Sequence, residues 1–155
     1  MTELTWDEIA GRFDTARNWW VATSGSGGPH AVPVWGVVVD GALLFYGEAS
    51  AVRTRNLAAD PRLVVHLEDG DAPLIVHGTA SASGRASDHA GAVAGYAAKY
   101  TGATDLQYLP GAPGMAGVLL FVVTPVRAIT WDLDAFDDAD NPDDANRRWR
   151  AAAVG

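Results

Sequence analysis

Arg53 stands three residues after Ser50 in the stretch SAVRTRNLAA (residues 50–59), and this is where the chain most clearly offers binding chemistry. The stretch reads as a short helix, with Ser50 as its N-cap and Asp60-Pro61 as its stop. The first turn of a helix leaves backbone N–H groups unpaired and carries a partial positive charge, and Arg53 falls inside that turn. A phosphate is the group such an arrangement would hold. The plain alternative is a surface helix with solvated arginines.

Other chemistries find less support. His66 and His77 fall on neighbouring strand-like runs with Glu68 nearby, but a third well-spaced ligand is missing, so no metal site is assigned. There is no cysteine, which removes disulfides, thiol nucleophiles and cysteine metal centres. No Gly-x-Ser-x-Gly and no acid–histidine pair points to a serine hydrolase. The run Ser24-Gly25-Ser26-Gly27-Gly28 lacks the Lys-Ser/Thr of a phosphate loop and reads as a hairpin connection.

The elements that must position Arg53 are mostly strands. Ala31–Val39 and Ala42–Tyr46 are joined by Asp40-Gly41, a dipeptide that accepts positive φ at both central positions of a tight turn, so the two runs should pair antiparallel and deliver the chain to the helix. Within the first run His30, Val32, Val34 and Gly36 face one way, and Ala31, Pro33, Trp35 and Val37 the other. Pro33 cannot donate to a ladder and marks an edge, a bulge or a kink. Trp19–Thr23 precedes this pair as a strand. Leu63–Glu68 with Leu74–Thr79, and Gly117–Thr124 with Val126–Leu133 bent apart at Pro125, follow it.

Two helices lie beside the strands. Thr5-Trp6-Asp7-Glu8 reads as a reciprocal capping box opening a helix from Trp6 to Thr15, buried through Trp6, Ile9 and Phe13. Ser87–Tyr100 reads as a second, with Val93, Tyr96, Ala97 and Tyr100 inward. Thr101–Met115 is a loop rich in glycine and proline. Strands in three hairpin-like pairs without a βαβ rhythm predict a mainly β fold, a six-stranded antiparallel barrel with flanking helices in one domain spanning 1–155.

Bulk properties narrow the partners. At 155 residues and 48% hydrophobic composition the chain can bury a real core. No apolar run approaches a membrane span and no signal-peptide pattern opens the chain, so a cytoplasmic protein is expected. A formal charge of −8 argues against nucleic acid and anionic membranes as partners. Acid gathers between Asp132 and Asp144, where residues 136–146 read as a mobile loop. Arginines gather at Arg53–Arg62 and Arg147–Arg150, so a small anionic molecule can still be held locally.

Several segments together carry a likeness: Gly28-Pro29-His30 with Val32-Pro33-Val34-Trp35; Arg53-Thr54-Arg55-Asn56-Leu57 with Asp60-Pro61-Arg62; Glu68-Asp69-Gly70-Asp71; Gly78-Thr79-Ala80; and the closing Arg147-Arg148-Trp149-Arg150. In this order, over most of the chain, they resemble the split-barrel flavin and deazaflavin oxidoreductases, the superfamily of pyridoxamine 5′-phosphate oxidase. Within it the wording looks closest to the actinobacterial branch that uses coenzyme F-420.

The resemblance implies a split barrel that pairs as a homodimer with cofactor sites at the interface, with the Trp131 and Trp149 regions as candidates for contact. It implies that Val32, Pro33, Val34 and Trp35 line the ring of the cofactor. Arg53, with Ser50 and the helix N-terminus, would hold the phosphate, and Asn56 would stabilise the loop or touch the cofactor. The loop 101–115 would border the pocket of a small organic substrate. Where relatives carry a second basic residue before the phosphate helix, this chain has Ala51 and Val52, one charge-assisted hydrogen bond fewer, or about 1.5–3 kcal/mol. The implied activity is hydride transfer between reduced F-420 and an electron-poor substrate, and no catalytic side chain is singled out. An FMN-binding oxidase or reductase and a non-catalytic cofactor carrier are the alternatives. F-420 differs by a polyglutamate tail, for which Arg55 or the C-terminal arginines could supply a cationic groove.

Overall fold

The computed structural model describes residues 3–138 and 146–153, and in them the strands form one antiparallel sheet. These are β1 (Trp19–Gly25), β2 (Gly28–Val34), β3 (Gly36–Val39), β4 (Ala42–Glu48), β5 (Arg62–His66), β6 (Leu74–Arg85), β7 (Val118–Thr130) and β8 (Arg147–Arg150). The helices are α1 (Trp6–Thr15), α2 (Val52–Ala59), α3 (Ala90–Lys99) and α4 (Leu133–Asp138). Neighbours run in the order β2-β1-β5-β6-β7-β4-β3, with β8 on the free edge of the second half of β7. The two end strands of that order are consecutive in sequence, separated only by Trp35. The sheet therefore has to curl until its ends meet, which makes it a split barrel.

Period-two alternation sorts side chains into two cores. Leu43 and Phe45 of β4 point into the barrel with Trp19, Val21, Val65, Val76 and Phe121, and Ile9 and Phe13 of α1 close one end. Leu44 of β4 points outward with Val37, Val118 and Leu120, where Ala92 and Tyr96 of α3 and Tyr100 at its C-cap cover them. No helix among the described residues is long and apolar enough to cross a membrane.

The chain between β2 and β3 leaves the ladder, and α3 supplies its missing partners. The Tyr96 hydroxyl donates to Trp35 O at 2.8 Å, and Gly36 N donates to the Tyr100 hydroxyl at 2.9 Å. Lys99 Nζ donates to Gly36 O at 2.7 Å and to Phe13 O at 3.2 Å, and burial pulls its amine down to about 8. The Tyr100 hydroxyl in turn donates to Arg17 O at 2.7 Å. Gly36 is required here because a Cβ would run into the Trp19 ring.

Several expectations change. The barrel is a split barrel as expected, but with eight strands rather than six: the run Ala31–Val39 breaks at Trp35, and Arg147–Arg150 is a strand. Gly117–Thr124 and Val126–Leu133 are one strand, β7, because Pro125 lies opposite Gly78 at a register shift where no ladder donor is needed. Beyond it Leu133 opens α4. The capping box is half made. Thr5 Oγ1 accepts from Glu8 N at 3.2 Å, whereas the Glu8 carboxylate turns to Arg147, accepting from Nη1 and Nη2 at 2.7 Å each. Helix α3 starts later than Ser87, at Ala90, because the His89 ring nitrogen caps it by accepting from Ala92 N at 3.0 Å; Ala92 is buried and Ala97 exposed. Of the acidic stretch read as mobile, residues 139–145 lie outside those described, and its first residues belong to α4.

Tyr100→Phe keeps the ring but strands the buried Gly36 N–H, and should cost about 1–3 kcal/mol in urea unfolding. An unchanged midpoint would show that Gly36 does not depend on that hydroxyl. Arg147 holds the Glu8 carboxyl below its usual range, chiefly by hydrogen bonding. A carboxyl depressed in the folded state stabilises above its unfolded value and loses that contribution as pH falls through the folded one. The stability gap between the native protein and Glu8→Gln should therefore narrow between about pH 6 and about pH 3. A constant gap in an acid denaturation series would assign the effect to packing instead.

Candidate functional site

A cavity of about 560 Å³ opens where β2 ends and α2 begins. Pro33, Val34 and Trp35 form one wall, and Tyr46 and Glu48 of β4 form the floor with Val118 of β7. Ala51 and Arg53 enter from the start of α2, Tyr108 and Met115 from the loop that follows α3, and Asn18 from the turn before β1.

Arg53 is the cation of this cavity. Its guanidinium lies across Gly47, where a Cβ would come within about 3.0 Å of Nε, and Nη2 donates to Tyr46 O at 3.3 Å. Nε is buried and has no hydrogen-bond partner. Burial lowers the Arg53 pKa from its ordinary value, with the Glu48 carboxylate acting the other way. An arginine retains its charge under any such shift, so it presents a desolvated cation with an open N–H. Beside it, the N-cap of α2 is Ala51, which offers no side-chain cap, so the first-turn N–H groups have no side-chain acceptor at the cap position.

The wall opposite is rigid and aromatic. The Trp35 ring stacks on Tyr100 at 4.3 Å and 9°, and the Arg17 guanidinium sits 4.9 Å from its centroid. Arg17 in turn grips Asp105 with two hydrogen bonds of 2.8 and 3.0 Å, and Asp105 also accepts from Gly102 N at 3.0 Å. This ties down the start of the loop. Further along, the Tyr46 hydroxyl donates to Tyr108 O at 2.8 Å, placing the Tyr108 ring edge-on to Trp35 at 6.2 Å. Burial pushes the Tyr46 phenol up to about 12, so it stays protonated and donating at neutral pH.

Of the residues singled out by sequence, Pro33, Val34, Trp35 and Arg53 come together around the cavity. The other three do not line it. Val32 is half-buried against the barrel core. Ser50 is exposed and is not the N-cap: the helix begins one residue later, and Ser50 contributes only its carbonyl, which accepts from Arg55 Nη1 at 2.7 Å. The reason is local. Thr54 Oγ1 donates to Glu48 O, and Ala51 N donates to the same carbonyl, which ties the first turn to the end of β4. Asn56 is buried at 8% exposure and donates to Thr23 Oγ1 at 3.1 Å, filling the space that a glycine at position 25 leaves open. Sequence reasoning passed over Tyr46 and Glu48, although both share the outward face of β4 with Leu44 and were readable from strand alternation.

The cavity thus joins flat, apolar walls to one desolvated cation and an open helix start. Among the described residues no three metal-ligating side chains cluster, and the walls hold no nucleophile–base pair. Such a site suits a planar molecule with an anionic arm that brings its own reactivity.

Comparison with known proteins identifies the fold. The profile of the pyridoxamine 5′-phosphate oxidase family matches residues 5–132. The chain is similar in structure to a conserved hypothetical protein of Mycobacterium tuberculosis, with a TM-score of 0.69 and 22% identity over 100% of this chain and 98% of that one. It is similar to an F-420 reductase, with a TM-score of 0.60 and 20% identity over 76% of this chain and 93% of that one. It is similar also to a putative pyridoxamine 5′-phosphate oxidase from Listeria innocua, with a TM-score of 0.60 and 14% identity over 81% and 96%. At these identities the structural likeness shows the fold, and no curated protein matches the chain. With the family profile running from the cap of α1 past the end of β7, over a curled sheet of the expected class, the chain belongs to the pyridoxamine 5′-phosphate oxidase family of flavin-binding, oxidoreductase-like split barrels.

Proposed function

We propose that this chain is a coenzyme F-420-dependent reductase acting on a small electron-poor organic substrate. The observation that carries the reading is the buried, partnerless Nε of Arg53 beside the uncapped start of α2, a place shaped for a phosphate. Arg53 would hold the phosphate, with Gly47 leaving room for its guanidinium. Pro33, Val34 and Trp35 would orient the ring, Trp35 being held from behind by Tyr100. When bound, the deazaflavin supplies the hydride. Tyr46 keeps its proton and positions Tyr108, and Met115 and Tyr108 shape the side that the substrate meets. The choice of F-420 is supported by the likeness to an F-420 reductase, and Arg55, exposed on α2 two residues after Arg53, is suited to the first carboxylates of its tail. FMN is the second reading, favoured by the family's own description.

The family reading also carries a homodimer that closes the cavity from its open side. Tyr108, which lines the cavity and is 51% exposed, and Leu106, 60% exposed on the same loop, suit such a contact. The Trp131 region remains available to it, while Trp149 is engaged within the protomer by the Trp6 ring at 4.9 Å. Sedimentation should give a dimer; a monomer both with and without coenzyme would remove this part of the proposal.

Titration of the purified protein with F-420 and separately with FMN, followed by fluorescence, tests the cofactor. F-420 should bind more tightly, and Arg53→Ala should weaken it by about 10- to 100-fold. Gly47→Ala should weaken it too, by pressing on the guanidinium, with the circular dichroism of the fold retained. Tighter binding of FMN would transfer the protein to the oxidase branch. Binding indifferent to Arg53 would dismiss the phosphate anchor, and coenzyme bound without turnover on any enone or quinone would leave a carrier.

A further inference from the structure

The outer face of the sheet carries a line of basic side chains that neither the fold nor the cavity uses. Strand register sets His77 of β6 opposite Arg127 of β7, and Arg127 opposite Arg150 of β8. Three basic side chains therefore stand in one row across three strands. Arg148 shares their face, because the intervening Trp149 turns inward to the core. Like charges placed directly opposite each other across a ladder are destabilising. Among the described residues no ion pair relieves them: those of the arginines are Arg17–Asp105, Arg62–Asp60, Arg85–Asp88 and Arg147–Glu8, and none involves this row. This occurs in a chain of formal charge −8, with carboxylates in excess.

The row is also concave. A hollow of about 300 Å³ is walled by His77, Arg127, Arg148 and Arg150 over Ile129, and a wider groove of about 740 Å³ shares His77 and Arg127 and continues past Thr79 to Arg62. Among the described residues no aspartate or glutamate lines either one. Arg127 Nη2 lies 3.3 Å from His77 Nδ1, a contact in which the imidazole accepts, and burial followed by the Arg127 charge lowers the His77 pKa from its ordinary value. Arg127, Arg148 and Arg150 are all exposed. Neighbouring strands lie about 4.8 Å apart and alternate residues about 6.8 Å apart along a strand, so the guanidinium groups are rooted at a repeat of that order.

We propose that this row is a binding site for an oligoanion, an extended molecule carrying several phosphate or carboxylate groups at that repeat, separate from the Arg53 cavity. A single compact anion meets one or two of the guanidinium groups, whereas a chain of anions meets them in succession. The opposed arginines then become an advantage, since the ligand supplies negative charge to a row with which no described carboxylate pairs.

Calorimetric titration at low salt tests this with three probes: sodium tripolyphosphate, γ-linked triglutamate and inorganic phosphate. In Arg53→Ala, which lacks the cation of the other site, one of the two oligoanions should bind in a single equivalent, clearly more tightly than inorganic phosphate, and the tighter of them names the source of the charge. Arg127→Gln and Arg150→Gln should each reduce that affinity by about tenfold. Arg85→Gln, an equal loss of charge elsewhere, should leave it unchanged. Arg150→Gln should also melt at a higher temperature than the native protein without ligand, and gain less from the oligoanion. The proposal fails if neither oligoanion binds, if inorganic phosphate binds as tightly, if the row variants bind like the native protein, or if Arg85→Gln is equally impaired.

Discussion

Everything in this fold depends on how the backbone at Trp35 and Gly36 is satisfied away from the ladder. A curled sheet whose first and last strands are joined by one residue has to break its hydrogen-bonding pattern at that residue, and a buried amide left unpaired there would cost free energy comparable to a core cavity. Helix α3 prevents this with three side chains, Tyr96, Lys99 and Tyr100, that reach the Trp35 carbonyl and both polar groups of Gly36. The same helix covers the outer face of β3 and β4. Closure of the barrel and docking of α3 are therefore one event. Trp35, held in place by that event, becomes the fixed wall of the cavity.

The cavity depends on a second constraint of the same kind. An arginine can be half-buried with an open N–H only if the backbone beneath it has no side chain and some neighbouring charge offsets its desolvation. Gly47 meets the first condition and Glu48 the second. The free protein thus keeps a cation in poor solvation at the spot where an anion would relieve it, the usual form of a preorganised site. The outer row of arginines is the opposite case: exposed, set opposite one another and, among the described residues, outside every ion pair.

The sequence exposes those features that are set locally and conceals those set across the sheet. The α1 span from Trp6 to Thr15 was legible because a threonine cap and apolar residues three and four apart act within the helix itself. The Asp40-Gly41 hairpin was legible for a similar reason: both residues do adopt positive φ. The break at Trp35 was hidden because the period-two pattern of β2 leads straight up to it, and the partners that make it tolerable lie more than sixty residues away in α3. Pro125 looked like a strand end because the glycine opposite, which admits it, belongs to another strand. Strand β8 was hidden because three arginines around a tryptophan carry no strand preference of their own. In the site, Arg53 was visible as a charge at a helix start, whereas Tyr46 and Tyr108 matter through a hydrogen bond between distant segments.

The two sides of the cavity are held by different means. Trp35 and Arg53 belong to the barrel and α2, whereas Tyr108 and Met115 belong to a loop fastened at a few points, among them the Arg17–Asp105 pair and the Tyr46–Tyr108 bond. Drift in the first half would disturb folding, while the second half can be rewritten between its fasteners at little cost to stability. Lineages descended from such a barrel would therefore keep one reactive surface and trade substrates by loop exchange, which makes residues 101–115 the natural segment to graft when a new specificity is wanted.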